Sequence, residues 1–335
     1  MMMSYLYQLE FDTPIHFGTV EAGGGLESIT YTYESDRLFS SLCCELGENG
    51  DNDKISDLVA AVDSGQLVFS DLFPFAEEGG DCQLYVPKPV LLPIERPESD
   101  ANWSYTEACN ASVAKKTNKK LEFIRVSEVD EYIQALKTGK AFKGGVDFGA
   151  DWLTEQVNCR GDKPLPYYVG TFVFAKNTGL YGIIQGEESI VQRSLDLLEQ
   201  LGLSGIGGKR SSGYGKFRFH DDPFVLDEES PYDDAVELKR RMDDKTAQWH
   251  MNMSLLIPHA EDINDIKQGF YSLKKRSGFV SSLGFGYVHK RHDIYGIASG
   301  SCFKSRPVGE IASMENDKGH PVYRNGKALY LGVNA

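Results

Sequence analysis

The chain has 335 residues, of which 41% are hydrophobic, and its formal net charge at pH 7 is -14. This length and composition predict two packed domains and exclude an intrinsically disordered protein. The acidic balance also excludes a protein that coats nucleic acid over its whole surface, so any nucleic-acid contact needs a local basic site.

The first part of the sequence predicts strands and helices in an order with a known architecture. Tyr5–Phe11 alternates apolar and polar side chains as a strand does, whereas Asp36–Leu46 places its large apolar residues at helical spacing. The later predictions are strands at Leu67–Phe69, Leu84–Val86, Tyr168–Ala175 and Leu180–Gln185, a helix at Glu187–Leu201 and a strand at Lys216–His220. The order β-α-β-β-α-β, with interruptions, is that of a ferredoxin-like domain.

The C-terminal part predicts a second round of the same order. Trp249–Ile257 places its apolar residues on one face of a strand, and a helix is expected at Asp262–Leu273 with Asp262 as a possible cap. The basic cluster Lys274–Arg276 would then lie at the negative end of that helix. The fold class predicted is therefore α+β, with two ferredoxin-like, RRM-type domains.

Charge places the boundary between these domains. Asp221–Asp244 is crowded with acidic residues and predicts a solvated connection with a short helix from Asp233 to Thr246. We therefore expect an N-terminal domain at 1–222, an acidic linker at 223–245 and a C-terminal domain at 246–335.

The segment 203–215 joins a glycine cluster to basic side chains. Glycine permits positive φ and close approach of the backbone, so successive N–H groups can converge on an anion. A flexible surface turn is the alternative, although a plain turn needs no such cations and no acidic residue lies between Glu199 and Asp221. The segment predicts a phosphate-binding loop with contacts at Gly205, Gly207, Gly208, Lys209, Arg210, Ser211, Ser212, Gly213, Tyr214, Gly215 and Lys216. For Tyr214, base stacking and anchoring of the loop both remain open.

Two nucleotide-binding motifs do not fit this loop. A Walker A loop requires Ser or Thr after Gly-Lys, and Gly208-Lys209 is followed by Arg210. A dinucleotide fingerprint follows a strand and opens a helix, whereas this loop follows a predicted helix and leads into a predicted strand. We expect no nucleotide cofactor.

Cysteine spacing and hydropathy exclude other classes of protein. None of the six cysteines forms a C-x-x-C pair, so neither a disulfide framework nor a structural metal site is expected. No apolar run approaches the ~20 residues that span a bilayer, and the N-terminus lacks a signal-peptide pattern. The sequence predicts a cytoplasmic protein without a membrane partner.

Gly-hydrophobic-Gly, five residues and a second Gly-hydrophobic-Gly occur as Gly205-Ile206-Gly207 and Gly213-Tyr214-Gly215. This pattern resembles the glycine-rich loop of the RAMP superfamily, the RNA-binding proteins of CRISPR effector complexes. Further segments are similar to landmarks of the subgroup that caps the 5′ handle of the guide RNA (crRNA) in the type III-A (Csm) complex. These segments are Pro14–Gly18, Ser35–Leu42, Pro87–Pro93, Lys274–Ser282 and Gly300–Phe303. The resemblance spans nearly the whole chain.

The resemblance implies a non-catalytic subunit that binds the crRNA 5′ handle and meets target RNA only indirectly. Its implied protein partners are the large polymerase-like subunit and a backbone RAMP subunit. His16, Lys275 and Arg276 join the candidate RNA contacts on this basis, although the cluster at Lys274–Arg276 could instead be only a helix C-cap. The family also implies a thumb-like element in the insertion near 97–164, whose alternative is a mobile basic surface loop.

Two other functions are compatible with the sequence. Some RAMP relatives cut precursor RNA with a histidine near the glycine loop, and His16 could act as a general acid or base on a 2′-hydroxyl. The chain would then be a metal-independent endoribonuclease that processes CRISPR precursor RNA. The third function is a purely structural bridge between subunits. Its candidate interface residues are Phe73, Phe75, Trp103 and Tyr105, for which burial in their own domain is the favoured alternative.

Overall fold

The computed structural model describes residues 2–19, 25–91, 104–159, 163–280, 289–290, 292–313 and 321–335. The helices within these ranges are α1 (Ser35–Glu48), α2 (Asn52–Asp63), α3 (Tyr105–Lys120), α4 (Val129–Thr138), α5 (Glu188–Ser204), α6 (Asp233–Asp243) and α7 (Ile263–Ile266). Among the described residues, no helix combines the length and the apolar character needed to cross a membrane.

The strands form one large sheet and several small ones. In chain order they are β1 (Met2–Phe11), β2 (Phe17–Gly18), β3 (Ile29–Thr30), β4 (Leu67–Phe69), β5 (Phe73–Glu78), β6 (Asp81–Pro87), β7 (Phe123–Arg125), β8 (Gly149–Asn158), β9 (Leu165–Phe174), β10 (Thr178–Glu187), β11 (Phe217–Phe219), β12 (Phe224–Val225), β13 (Trp249–Asn252), β14 (Leu273–Arg276), β15 (Phe279–Val280), β16 (His289–Lys290), β17 (Ile294–Ile297), β18 (Cys302–Phe303), β19 (Ile311–Ser313), β20 (Tyr323–Asn325) and β21 (Tyr330–Val333). The large sheet runs β11-β1-β10-β5-β6-β7, with β12 added beside β1 and β4 beside β10.

Strand β1 is central in this sheet because it is paired on both sides. It pairs antiparallel with β10 from Met2↔Glu187 to Leu9↔Leu180, and with β11 and β12 on its other edge. Its side chains alternate between two cores. Leu9 packs in the cluster that contains the apolar faces of α1 and α5, whereas Leu6 packs with α6 and the C-terminal strands.

The periodic elements of the N-terminal part are confirmed within a few residues. β1, α1, β4, β6, β9, β10, α5 and β11 lie where alternation or helical spacing predicts them. The fold is a mixed helix and strand fold built on antiparallel sheets, as expected for an α+β chain.

The acidic stretch contains the predicted helix, which ends at Asp243 as α6. This helix is packed into the fold. The carboxylate of Asp234 is fully buried, accepts a hydrogen bond from the N–H of Leu84 at 2.9 Å, and pairs with the guanidinium of Arg125 at 2.7 Å. The segment therefore joins β6 and β7 to the C-terminal sheet β18-β13-β21.

The helix predicted at Asp262–Leu273 is wrong. The chain forms a 3-10 turn at Ala260–Asp262, the short α7, and then strand β14, which pairs with β17. After α7 the chain pairs with a distant segment, since Phe270 and Cys302 exchange backbone hydrogen bonds at 2.9 and 2.8 Å. Gly269 allows this approach, because an added Cβ would be only 2.4 Å from Cδ1 of Phe303. Lys274–Arg276 consequently lies on a strand and is not a helix C-cap.

The insertion near 97–164 contains α3, β7, α4 and β8 in its described part. Strand β8 forms a two-stranded ribbon with β9 that extends from Gly149↔Phe174 to Asn158↔Leu165. Trp103 and the ends of two landmark segments, 92–93 and 281–282, lie outside the described residues.

Candidate nucleic-acid interface

The glycine loop lies between α5 and β11, and its glycines allow it to fold against the segment after β1. Gly205, Gly207, Gly213 and Gly215 all have φ between 74° and 89°, a region that L side chains rarely adopt. An added Cβ at Gly207 would be 2.6 Å from Cδ1 of Phe17, and one at Gly208 would be 2.6 Å from Cδ2 of His16. Most of these glycines therefore shape and seat the loop.

Most backbone N–H groups of the loop are already hydrogen-bonded. Ile206 donates to the carbonyl of Gly215 and Gly208 to that of His16, each at 2.9 Å, and Gly215 donates to Pro14. Gly207 faces the hydroxyl of Tyr33. Within the described residues, the N–H groups of Lys209, Arg210 and Ser211 have no backbone acceptor. Fewer backbone N–H groups are therefore available to bind an anion than the number of glycines predicts.

The basic side chains of the loop are held by its neighbours. Lys209 is left-handed, with φ of 61°, and its ammonium lies 3.3 Å from the hydroxyl of Tyr167 and 4.9 Å from the centre of that ring. The guanidinium of Arg210 lies 3.5 Å from Glu45 and 3.3 Å from Glu48 on α1. The loop thus contacts α1 on one side and the β8-β9 ribbon on the other.

The remaining loop side chains are more open, since Ser211, Ser212 and Lys216 are exposed and Tyr214 is half-buried. His16, in contrast, is only 5% exposed. Its Nδ1 lies 2.7 Å from the carbonyl oxygen of Gly170 and donates to it, while its own carbonyl accepts from Gly208. His16 therefore fastens the glycine loop to β9.

Beside the loop is a pocket of about 300 Å³, which we call the arginine pocket. The residues that line it include Gly207 of the loop and four arginines, Arg37, Arg210, Arg276 and Arg324. Among the described residues, no Asp or Glu lines it. Arg37 and Arg324 are not among the RNA contacts predicted from the sequence. Arg37 lies within the landmark Ser35–Leu42, which could have indicated it, whereas Arg324 has no comparable signal.

Two of these arginines belong to a buried ion cluster around Asp36. The carboxylate of Asp36 is fully buried and accepts hydrogen bonds from Arg276 at 2.9 and 3.0 Å and from Arg324 at 2.7 Å. Glu34 pairs with Arg37 at 3.4 Å and with Lys274. Burial acts to raise the pKa of Glu34, but these cations outweigh it and hold that pKa below the usual range.

The candidate contacts on β14 point to opposite sides of the strand. Arg276 is 3% exposed and faces Asp36, so only its edge at the arginine pocket is available to a ligand. Lys275 is exposed and pairs with Asp293 at 2.7 Å. The structure therefore brings His16, the glycine loop and Arg276 together, while Lys275 lies apart from them.

Comparison with known proteins identifies the family. Residues 245–333 match the model of the CRISPR Csm4 C-terminal domain. The "CRISPR system Cms protein Csm4" of Streptococcus thermophilus is 30% identical over 333 residues, which is 98% of this chain and 99% of that protein. The protein of the same name from Mycobacterium tuberculosis (strain CDC 1551 / Oshkosh) is 31% identical over 342 residues, 99% of this chain and 98% of that one.

Solved structures share the fold. A crystal structure of a Csm3-Csm4 subcomplex in the type III-A CRISPR-Cas interference complex matches with a TM-score of 0.60 at 15% identity, covering 100% of both chains. A Csm1-Csm4 cassette in complex with cA4 matches with a TM-score of 0.57 at 16% identity, covering 100% of this chain and 98% of that one. The chain belongs to the Csm4 family and is a RAMP subunit of a type III-A CRISPR (Csm) effector complex.

Proposed function

We propose that this chain binds the 5′ handle of crRNA with its glycine loop and joins the large subunit to a backbone subunit. One observation carries the RNA assignment: the unpaired N–H groups of Lys209, Arg210 and Ser211 lie together with two basic side chains and exposed hydroxyls. Backbone donors and cations of this kind position a phosphate backbone without reading its sequence.

The sheet supports this interpretation of the loop. The strand order β11-β1-β10-β5, with α1 and α5 in the connections, corresponds to the order of a ferredoxin-like domain, and we assign the first domain to that class. In this domain the glycine loop connects the second helix to the last strand. We assign the sheet β18-β13-β21 to the second domain, with α6 packed against it.

The partners follow from the relatives, whose structures contain Csm4 with Csm3 or with Csm1. We propose that this chain likewise contacts a backbone RAMP subunit and the large polymerase-like subunit, and meets target RNA through the β8-β9 ribbon as its thumb-like element. That ribbon exposes large apolar side chains, with Trp152 62% and Leu153 59% exposed. Such a surface is typical of one that an assembly covers.

We further propose that the chain is not an enzyme and works in the cytoplasm. A general acid or base must come within hydrogen-bonding distance of the reacting hydroxyl. His16 is nearly buried, and its Nδ1 is committed to the carbonyl of Gly170. This geometry favours a structural His16 over the catalytic histidine of an endoribonuclease.

The test compares two complexes, the wild type and a double variant that carries both Lys209→Asn and Arg210→Gln. Each complex is purified at high salt from its host through a tag on this chain. Asn tolerates the left-handed backbone of Lys209, so the loop conformation is retained. We expect the wild type to hold RNA with one uniform, repeat-derived 5′ end. The double variant is expected to lose RNA. The slope of its log binding constant against log salt concentration should be smaller in magnitude by about 0.7 for each lost phosphate contact.

The matched control is Arg193→Gln, which removes an exposed arginine of α5 that forms no ion pair with any described residue and lies about three turns before the loop. It should leave RNA retention unchanged. Equal retention and equal salt dependence in the double variant and the wild type would refute the loop assignment.

A further inference from the structure

We infer that the arginine pocket is a binding site for a single phosphate group. The inference rests on the proposed function for the origin of the phosphate, which would be RNA, but it rests on the pocket alone for the chemistry. It adds Arg37 and Arg324 to the contacts, and it places a phosphate behind the glycine loop as well as on its exposed side.

The ion cluster beneath the pocket carries excess positive charge. Among the described residues its cations outnumber its carboxylates, since Arg37, Lys274, Arg276 and Arg324 form ion pairs only with Glu34 and Asp36. Two positive charges are left over. Arg210, also in the wall, lies outside this count and pairs with two other carboxylates, the nearly buried Glu45 and the exposed Glu48.

A third carboxylate does not remove this excess. Asp71 adds to the field at Arg276 but forms no ion pair with it, and its carboxylate accepts the N–H groups of Ser35 and Leu255. Counting Asp71 in full still leaves one positive charge. An uncompensated buried charge is costly, so an anion bound at the pocket would stabilise this arrangement.

Two polar atoms of residues in the wall lack partners. Nε of Arg324 and Oγ of Ser40 are buried and have no hydrogen-bond partner in the described part of the chain, and both residues line the pocket. A guanidinium offers its donors in a planar fork that matches the oxygens of a phosphate, and a serine hydroxyl adds one more donor. A rotation of either side chain would turn its donor toward a phosphate in the pocket, whereas a neutral ligand would leave the charge excess in place.

The size of the arginine pocket and its position beside the glycine loop also suit a phosphate. A volume of about 300 Å³ lies at the lower end of the roughly 300–1,000 Å³ of small-molecule sites, which accommodates a phosphate and its sugar. Gly207 and Arg210 form one wall, so the pocket continues the loop surface. The phosphate could be the terminal group of an RNA 5′ end or an internal phosphodiester turned inward.

The first experiment needs no RNA. The urea midpoint of the full-length chain is measured in sodium phosphate and in sodium chloride of equal ionic strength. Ligand that binds only the folded state raises stability, so we expect phosphate to raise the wild-type midpoint. Arg37→Gln should lose most of this increase. Asp36→Asn adds one more excess positive charge and should show a larger increase than the wild type, which keeps the test informative even if that variant is less stable.

Two controls make the outcome specific. Arg193→Gln should respond to phosphate as the wild type does. The Lys209→Asn variant should retain most of the response, because Lys209 does not line the pocket, and this separates the pocket from the glycine loop. A wild-type midpoint that is indifferent to phosphate, or an undiminished response in Arg37→Gln, would overturn the inference.

The second experiment assigns the source of the phosphate. The full-length chain is titrated with a single-stranded RNA copied from the RNA that co-purifies, carrying either a 5′-phosphate or a 5′-hydroxyl. Loss of one charge-assisted phosphate contact should weaken binding about tenfold or more. Weakening by Arg37→Gln of the 5′-phosphate form alone supports a terminal phosphate, and equal weakening of both forms supports an internal phosphodiester. No weakening of either form would contradict an RNA phosphate in the pocket.

Discussion

Replacement of Asp36 by Asn should be among the most destabilising single changes in this chain. The carboxylate is completely buried and receives three hydrogen bonds of 2.7 to 3.0 Å from two guanidinium groups. An amide keeps one acceptor oxygen but turns N–H donors toward cations, and it removes the carboxylate that, among the described residues, alone pairs with both arginines. Loss of one partner from a buried ion pair costs about 3–5 kcal/mol, a large share of the roughly 5–15 kcal/mol that stabilises a typical domain.

The assay is urea unfolding of the full-length chain in a buffer without phosphate, followed by a tryptophan signal and by far-ultraviolet circular dichroism. The wild type and Asp36→Asn are compared with Asp293→Asn, which removes an exposed carboxylate that pairs with Lys275. The exposed control should change the midpoint little. If Asp36→Asn lowers the free energy of unfolding by less than about 1 kcal/mol, the size of an exposed pair, the cluster does not contribute the stability expected of a buried ion pair.

Two further predictions concern the glycine loop and a buried carboxyl group. In Gly213→Ala the added Cβ meets no atom within 4 Å, so the free energy of unfolding should fall only by the left-handed backbone penalty of about 1–2 kcal/mol. Gly215→Ala places Cβ 2.0 Å from the carbonyl oxygen of Ile206 and should lower that free energy clearly more. Equal losses in urea unfolding would contradict the packing of the loop. Burial raises the pKa of Asp71 to about 6. Stability from its protonated form is therefore present below the unfolded pKa of about 3.9 and lost as pH rises through 6, so Asp71→Asn should gain stability relative to the wild type across this window. A difference between the two unfolding free energies that stays constant with pH would rule out this titration.

Local periodicity predicts the elements whose burial follows a regular repeat. β1 and α1 were predicted because each buries one regular set of apolar side chains. β5 lacked a strand pattern, since Pro74 has no N–H for the ladder, yet it pairs with β10 at Leu180. The helix predicted at Asp262–Leu273 does not form. Gly269 instead packs on Phe303, a contact that no local pattern in the sequence shows.

The same distinction between local patterns and long-range contacts applies to the candidate site. The glycine loop is a local feature, so its position and its need for positive φ could be inferred from the sequence. The arginine pocket could not, because Asp36 meets Arg276 and Arg324 across 240 and 288 residues of chain. The burial of Arg276 likewise depends on pairing between β14 and β17, and a basic run in the sequence does not show which of its members faces inward.

The position of β1 at the centre of the large sheet has a consequence for synthesis on the ribosome. The strand emerges long before its partners β10, β11 and β12, which end only at Val225. Until then both edges of an apolar strand are open, a state that favours aggregation and slows folding in proteins with such distant pairings. Translation arrested before β10 would therefore yield a nascent chain that depends on chaperones, and release of that dependence should coincide with the appearance of residues 178–225 outside the exit tunnel.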